Sequence, residues 1–330
     1  ILIRMMFVPT VYEHAAALIG KTPSQAAQDE RLLADGQLAA YGLYRHDLIS
    51  VGLDIYNVEA EALGARIQYY EDSRLPSCET AVISGEGDLK RLRVPNPEAD
   101  GRLPLLLGAC ERVKREAPVP VSGTLTGPFT LAAILRGFED FVLDMLDSPE
   151  FALAQLQFAA SVGLAFAEAY IKRGINIVIN ESWVVPPLCS PDLYRAFAQP
   201  AEKQLIAAIC RAGAHDAALI CGGNTTPIAK DLLDTGTSLI MADWGCDFEY
   251  FKDLCGQRGV SLRANIESGA VQDGDVERMG NELRQICERC KGYEKLVVGC
   301  GIVSFGTKPE SVLQFKRLYQ ELFAREQGAE

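Results

Sequence analysis

The sequence predicts a (β/α)8 TIM barrel that forms a single domain over residues 1–330. Three observations carry that prediction. Short apolar runs alternate with longer helical patterns along the chain, as repeated βα units around a parallel sheet require. Polar and metal-competent residues stand directly after several of those runs, where barrels collect their active-site groups. No glycine-rich phosphate fingerprint follows the first run, which counts against the alternative of a doubly wound open sheet.

The elements follow in order. A helical extension at the N-terminus precedes the first strand candidate, residues 48–53. Residues 66–70 read as one arm of a hairpin. The next strand, 121–125, begins just after Pro118 and Pro120, which end the preceding helix rather than interrupt the strand. Further strands follow at 175–180, 217–220, 238–241, 260–264 and 295–298. That makes seven, and the eighth strand needed for closure is left unassigned. Helix starts of the cap-then-proline kind occur at Ser148-Pro149-Glu150, Ser190-Pro191-Asp192 and Thr307-Lys308-Pro309-Glu310.

Bulk composition bounds the function. Of 330 residues, 48% are hydrophobic and 23% charged, ordinary values for a chain with a sizeable core. The net charge of −12 repels phosphate backbones and argues against nucleic-acid binding. Ten cysteines in so long a chain are too sparse for a disulfide framework and read as buried thiols in a reducing, cytoplasmic setting. The opening segment does not read as a secretory signal, and no apolar run is long enough to span a bilayer. The chain opens on Ile1, which reads as a start inside a longer product.

The strand ends carry the chemistry. They present Asp54, Gly123, Glu181, Cys221, Asp243, Asn265 with Glu267, and Cys300. Cys221 and Cys300 each end an apolar run and each precede a glycine, in Leu219-Ile220-Cys221-Gly222 and Val298-Gly299-Cys300-Gly301. Two thiolates with one carboxylate or imidazole suit Zn²⁺ with an open fourth position, so the pair is a candidate catalytic metal site. Glu181 and Asp243 are the better third ligands. His215 would lie roughly 20 Å from Cys221 along an extended strand and reads as a loop histidine. Cys287 and Cys290 form a C-x-x-C on a polar helical pattern, with no second pair at zinc-ribbon spacing. Trp183 and Trp244, beside Glu181 and Asp243, are candidates to wall the pocket.

Taken together, several segments resemble one family. They are Gly52-Leu53-Asp54-Ile55-Tyr56-Asn57-Val58-Glu59, Asp100-Gly101-Arg102-Leu103-Pro104, Gly127-Pro128-Phe129-Thr130, Ile220-Cys221-Gly222-Gly223-Asn224-Thr225-Thr226-Pro227 and Gly299-Cys300-Gly301-Ile302. The chain resembles the uroporphyrinogen decarboxylase-like superfamily, in its corrinoid-dependent methyltransferase branch. That resemblance implies a (β/α)8 barrel and a catalytic zinc held by a His-x-Cys and a later Cys. Cys221 and Cys300 match the cysteines, but Leu219 stands at the histidine position. Either a carboxylate such as Glu181 replaces the imidazole, or the metal is different or absent.

The implied activity is transfer of a methyl group between a corrinoid protein and a small-molecule donor or acceptor: a thiol, a pterin or a methylated substrate. The corrinoid would arrive on the partner, with no nucleic acid or membrane involved. Asn224 and Thr225 are candidates to contact it, against the alternative that they cap the following helix. Glu181, Asp243 and Asp54 are the candidate catalytic groups. Two further readings stand beside this one. A metal-free tetrapyrrole decarboxylase would use Asp54 to stabilise pyrrole charge, although the N-terminal segment offers only Arg4, Lys21 and Arg31 as cations. The other reading is a non-catalytic corrinoid-binding subunit.

Overall fold

Eight parallel strands, wound into one sheet, organise the computed structural model, which describes residues 5–327; Ile1 and Arg4 lie outside the described residues. The strands are β1 (Met6–Phe7), β2 (Ile49–Val51), β3 (Val121–Thr126), β4 (Asn176–Asn180), β5 (Ala218–Ile220), β6 (Leu239–Ala242), β7 (Ser261–Ile266) and β8 (Leu296–Cys300). Their order in the sheet is β2-β3-β4-β5-β6-β7-β8-β1, the succession of a TIM barrel. Each of the seven expected strands is present, shifted by one or two residues. Residues 66–70 contribute to a small antiparallel ladder that pairs Ile67 with Cys78 and Gln68 with Ser77.

The eighth strand is β1, which pairs Phe7 with Val298 of β8. Among the described residues no strand ladder joins β1 to β2. The seam closes instead through Asp47: Phe7 N donates to Asp47 Oδ2 (2.6 Å), and Asp47 N donates to Phe7 O (3.0 Å). The helices Tyr12–Leu18, Pro23–Ala27 and Glu30–Tyr44 were expected ahead of the barrel. They lie between β1 and β2 and form the first crossover.

The remaining crossovers are helical as well. Leu103–Glu116 joins β2 to β3, and Pro128–Arg136, Phe138–Asp147 and Pro149–Lys172 join β3 to β4. Of the expected caps, the Ser190 hydroxyl accepts from Leu193 N, whereas the Ser148 side chain makes no capping bond. One correction concerns membrane spanning: Pro149–Lys172 is long and apolar enough to cross a bilayer by length and composition. Half of that window is buried, and Leu156, Phe166 and Tyr170 belong to the core, as in an inner helix of a barrel shell.

Strand parity then divides the side chains. Asn176, Val178 and Asn180 of β4, Ala218 and Ile220 of β5, and Ser261, Arg263 and Asn265 of β7 border the lumen. The alternate residues, such as Ile179, Leu219, Leu262 and Ala264, are buried in the layer between sheet and helices.

Candidate functional site in the barrel lumen

The lumen holds a cavity of about 650 Å³. It runs from His46, Pro120 and Asp216 at the amino ends of the strands to Tyr56, Ser182, Asp243, Asn265 and Cys300 at the carboxyl ends. A barrel of this kind is ordinarily filled by side-chain layers. Here the short side chains of Ser50, Ser122, Ala218, Ser238 and Ser261 leave the space open.

A chain of polar groups crosses the carboxyl end. Arg263 is buried (8% exposed) on β7. Its Nε donates to Asn265 Oδ1 (3.0 Å), and its Nη2 donates to Val8 O (2.9 Å), Thr10 Oγ1 (2.9 Å) and Cys300 O (3.2 Å). Gly299 makes room for it, because a Cβ there would collide with Nη2. Asn265 Nδ2 donates onward to Asp243 Oδ1 (3.1 Å), and Asp243 Oδ2 accepts from Gly223 N (2.8 Å). This relay locks the ends of β5, β6 and β7 to one another. Cys300 borders the same space, and burial pushes its thiol up to about 12, against the pull of the Arg263 charge. Arg263 was read from the sequence only as part of a strand. The available signal was a lone cation between Leu262 and Ala264 in an otherwise apolar run.

Glu181 lies elsewhere. Asn180 and Ser182 border the cavity, so the carboxylate between them faces away from it. It is wholly buried and accepts from Phe129 N (3.1 Å) and Thr130 N (2.7 Å), the first turn of helix Pro128–Arg136. Gly127 allows the approach, since a Cβ there would collide with Glu181. Burial pushes the Glu181 carboxyl up to about 7, and the helix N–H donors pull it down. Glu202, also wholly buried, accepts from the Tyr194 hydroxyl (2.5 Å). Its own carboxyl is raised by burial and by the neighbouring Glu181 charge.

The two thiols expected to converge have different charged neighbours. Ile220 and Gly222 border the cavity, and Cys221 between them faces the helix layer. Burial raises the Cys221 thiol, and the charges of Glu202 and Glu181 raise it further. Cys300 instead sits among Arg263 and Asp243. Among the described residues no three His, Cys, Asp or Glu side chains converge as a metal-binding group. Leu219 supplies no ligand, and the guanidinium near Cys300 opposes a second cation. As placed, Cys221, Cys300 and Glu181 do not fit the expected zinc site.

The other sequence candidates divide similarly. Asp54 is held by Arg102 (2.7 Å) and lies beside Asn57, outside the lumen lining. Asp243 is at the cavity. Thr225 is buried, and its hydroxyl donates to Met241 O (3.5 Å), which leaves it no ligand-facing role. Asn224 is exposed, and its Oδ1 accepts from Thr226 N (3.1 Å), a local turn in the loop after β5. Trp183 stacks edge-on against Phe138 at 5.4 Å and does not wall the cavity. Trp244 is 52% exposed just beyond β6. His215 is fully out in solvent, as expected. No disulfide joins any of the ten cysteines.

Known proteins resemble the chain over nearly its full length. The model of the uroporphyrinogen decarboxylase (URO-D) family matches residues 4–322. A methylated-thiol–coenzyme M methyltransferase of Methanosarcina mazei is 25% identical over 302 residues, 89% of this chain and 77% of the relative. The methylcobamide:CoM methyltransferase MtbA of Methanosarcina acetivorans is 25% identical over 284 residues, 85% of this chain and 81% of the relative. Among solved structures, a methyltransferase from Methanosarcina mazei superposes with a TM-score of 0.85 at 23% identity, covering 96% of this chain and 92% of that one. The superposition establishes the shared barrel fold.

Proposed function

The chain belongs to the uroporphyrinogen decarboxylase family, and from that premise we propose that it is a methyltransferase. In this reading a methyl group moves between a corrinoid on a partner protein and a small thiol held in the lumen. The observation that carries the reading is the alignment of two coenzyme M methyltransferases, one of them acting on methylcobamide, over 85% or more of the chain. The open lumen supports it, since a thiol acceptor needs space at the carboxyl ends of the strands.

A docked corrinoid supplies the methyl group, and the barrel's own residues position the acceptor. Asp243 and Asn265 fix Arg263, which sets a positive charge beside Cys300 at the carboxyl end of the lumen. Asn180, Ser182 and Tyr56 offer polar contacts along one wall, with Tyr56 and Ser182 bonded to each other. At the mouth, Trp244 and Ile302 expose apolar surface for a partner. Zinc belongs to the family expectation, but the residues do not fit it, and no step here runs through a metal. Asp243 and Cys300 remain the candidate reaction-site groups. Glu181 acts from behind the wall, holding the loop after β4 against helix Pro128–Arg136.

The test is direct. Purified protein given methylcobalamin and coenzyme M is expected to consume donor and thiol in equal amounts, read by methylcobalamin absorbance and free-thiol titration. No methyl transfer to coenzyme M or to other small thiols, or decarboxylation of uroporphyrinogen instead, would overturn the proposal.

A further inference from the structure

The interior of a TIM barrel is ordinarily packed from end to end, and its amino-end face serves stability. Here the cavity reaches that floor. Met6, Leu48, Pro120, Asn176, Ser238 and Ser261 all border it, each at or next to the first residue of a different strand. Pro120 and Asn176 are exposed, and the Asp216 side chain, which borders the same space, is 52% exposed. The lumen therefore meets solvent at this end as well as at the mouth. The floor is also polar and unbonded. Among the described residues no hydrogen bond engages the side chains of Ser122, Asn176, Ser238 or Ser261. His46 is 2% exposed and borders the cavity, and its Nδ1 has no partner among the described residues. Burial, helped by the Lys316 charge, pulls its imidazole down to about 4, so the ring stays uncharged. Polar groups without protein partners take their hydrogen bonds from water where the space is roomy enough, and a cavity of about 650 Å³ is. The two ends differ in one more way. The relay from Arg263 through Asn265 and Asp243 to Gly223 spans the carboxyl end, whereas among the described residues no side-chain hydrogen bond joins the floor residues to one another.

We propose that the floor is a second entrance to the lumen, a hydrated passage by which small polar molecules enter and leave from the end opposite the mouth. Its use rests on the lumen being the substrate site, as proposed above; its existence does not. A corrinoid partner seated on the carboxyl ends covers the mouth. The thiol and its methylated product then need a route that does not require the partner to leave, and the floor supplies one. Hydroxyl, amide and uncharged imidazole groups line it, so water and small solutes cross it without shedding their hydrogen bonds. Short side chains set its width, and a bulky ring in place of Asn176 or Ser238 would close it. Asn176 is exposed, a position where a larger side chain costs the fold little.

The experiment is thiol labelling, without any corrinoid. Ser122→Cys puts a reporter on the lumen wall just inside the floor, in the stretch 116–136 that holds no other cysteine. The probe is iodoacetamide, small and uncharged, and its uptake at each cysteine is read by peptide mass spectrometry. Cys110, fully buried in the core, reports opening of the fold itself. The reporter is expected to react at least about tenfold faster than Cys110. Adding Asn176→Trp is expected to slow the reporter about tenfold or more, and Ser238→Phe to do the same, whereas Ile302→Trp at the mouth leaves it within about twofold. Should one plugged variant fail to fold, the other decides. A reporter no faster than Cys110, a rate that neither plug lowers, or a rate lowered by Ile302→Trp instead, would overturn the entrance. Methyl transfer is not read in this experiment, so a failure of the turnover assay and a failure of the entrance are separate results.

Discussion

Glu181 shows how one buried carboxylate is made tolerable. The first turn of a helix gives it two N–H donors, and a glycine gives it room. Gly127→Ala is therefore expected to destabilise the fold by about 2 kcal/mol, by overpacking against a group that cannot move without losing those donors. Chemical denaturation with an unchanged m-value is the check. A second expectation concerns pH. Burial pushes the carboxyls of Glu13, Glu59 and Glu181 each up to about 7, above the ordinary 4.5 of an unfolded chain. The folded state thus holds protons that the unfolded state gives up. Their contribution to stability is fully present below pH 4.5 and is lost as pH rises to about 7. The melting temperature should fall between pH 5 and pH 7.5, and Glu181→Gln should make that fall shallower. A melting temperature that rises across this range would contradict the assignment.

At the scale of the element, the period of two in a strand decides which polar residues can meet. The apolar runs and their polar ends were legible because seven strands stand out against helical patterns. Which neighbour at a strand end faces the lumen was not legible, because a list of strand-end residues carries no parity. So Asn180 and Ser182, rather than Glu181, border the cavity, and Cys221 turns from it. Strand β1 escaped notice because its ladder spans only two residues, Met6 and Phe7, and its partner lies almost the whole chain away. Arg263 escaped notice because its role is set by Val8, Thr10 and Cys300, all remote in sequence. The different surroundings of Cys221 and Cys300 yield a prediction about metal. Zinc content measured after purification without chelator should be the same in the parent, Cys221→Ser and Cys300→Ser. Stoichiometric zinc in the parent, lost from both variants, would show that the two thiols share a metal after all.

For the whole molecule, the cavity and the seam are parts of one arrangement. Most βα units bring one wall of the lumen from residues close in sequence. The wall that carries Arg263 is different: β7 and β8 are joined there to β1, with Phe7 paired to Val298 and Arg263 bonded to Val8 and Thr10. Of the eight strands, β1 is made before the other seven and waits for a partner, β8, that is made after all of them. Until β8 emerges, Phe7 lacks its ladder, Arg263 lacks the Cys300 carbonyl, and the lumen is an open trough. The lumen is thus completed only once the last strand of the sheet is made, and a product that ends before β8 would lack this wall of the pocket.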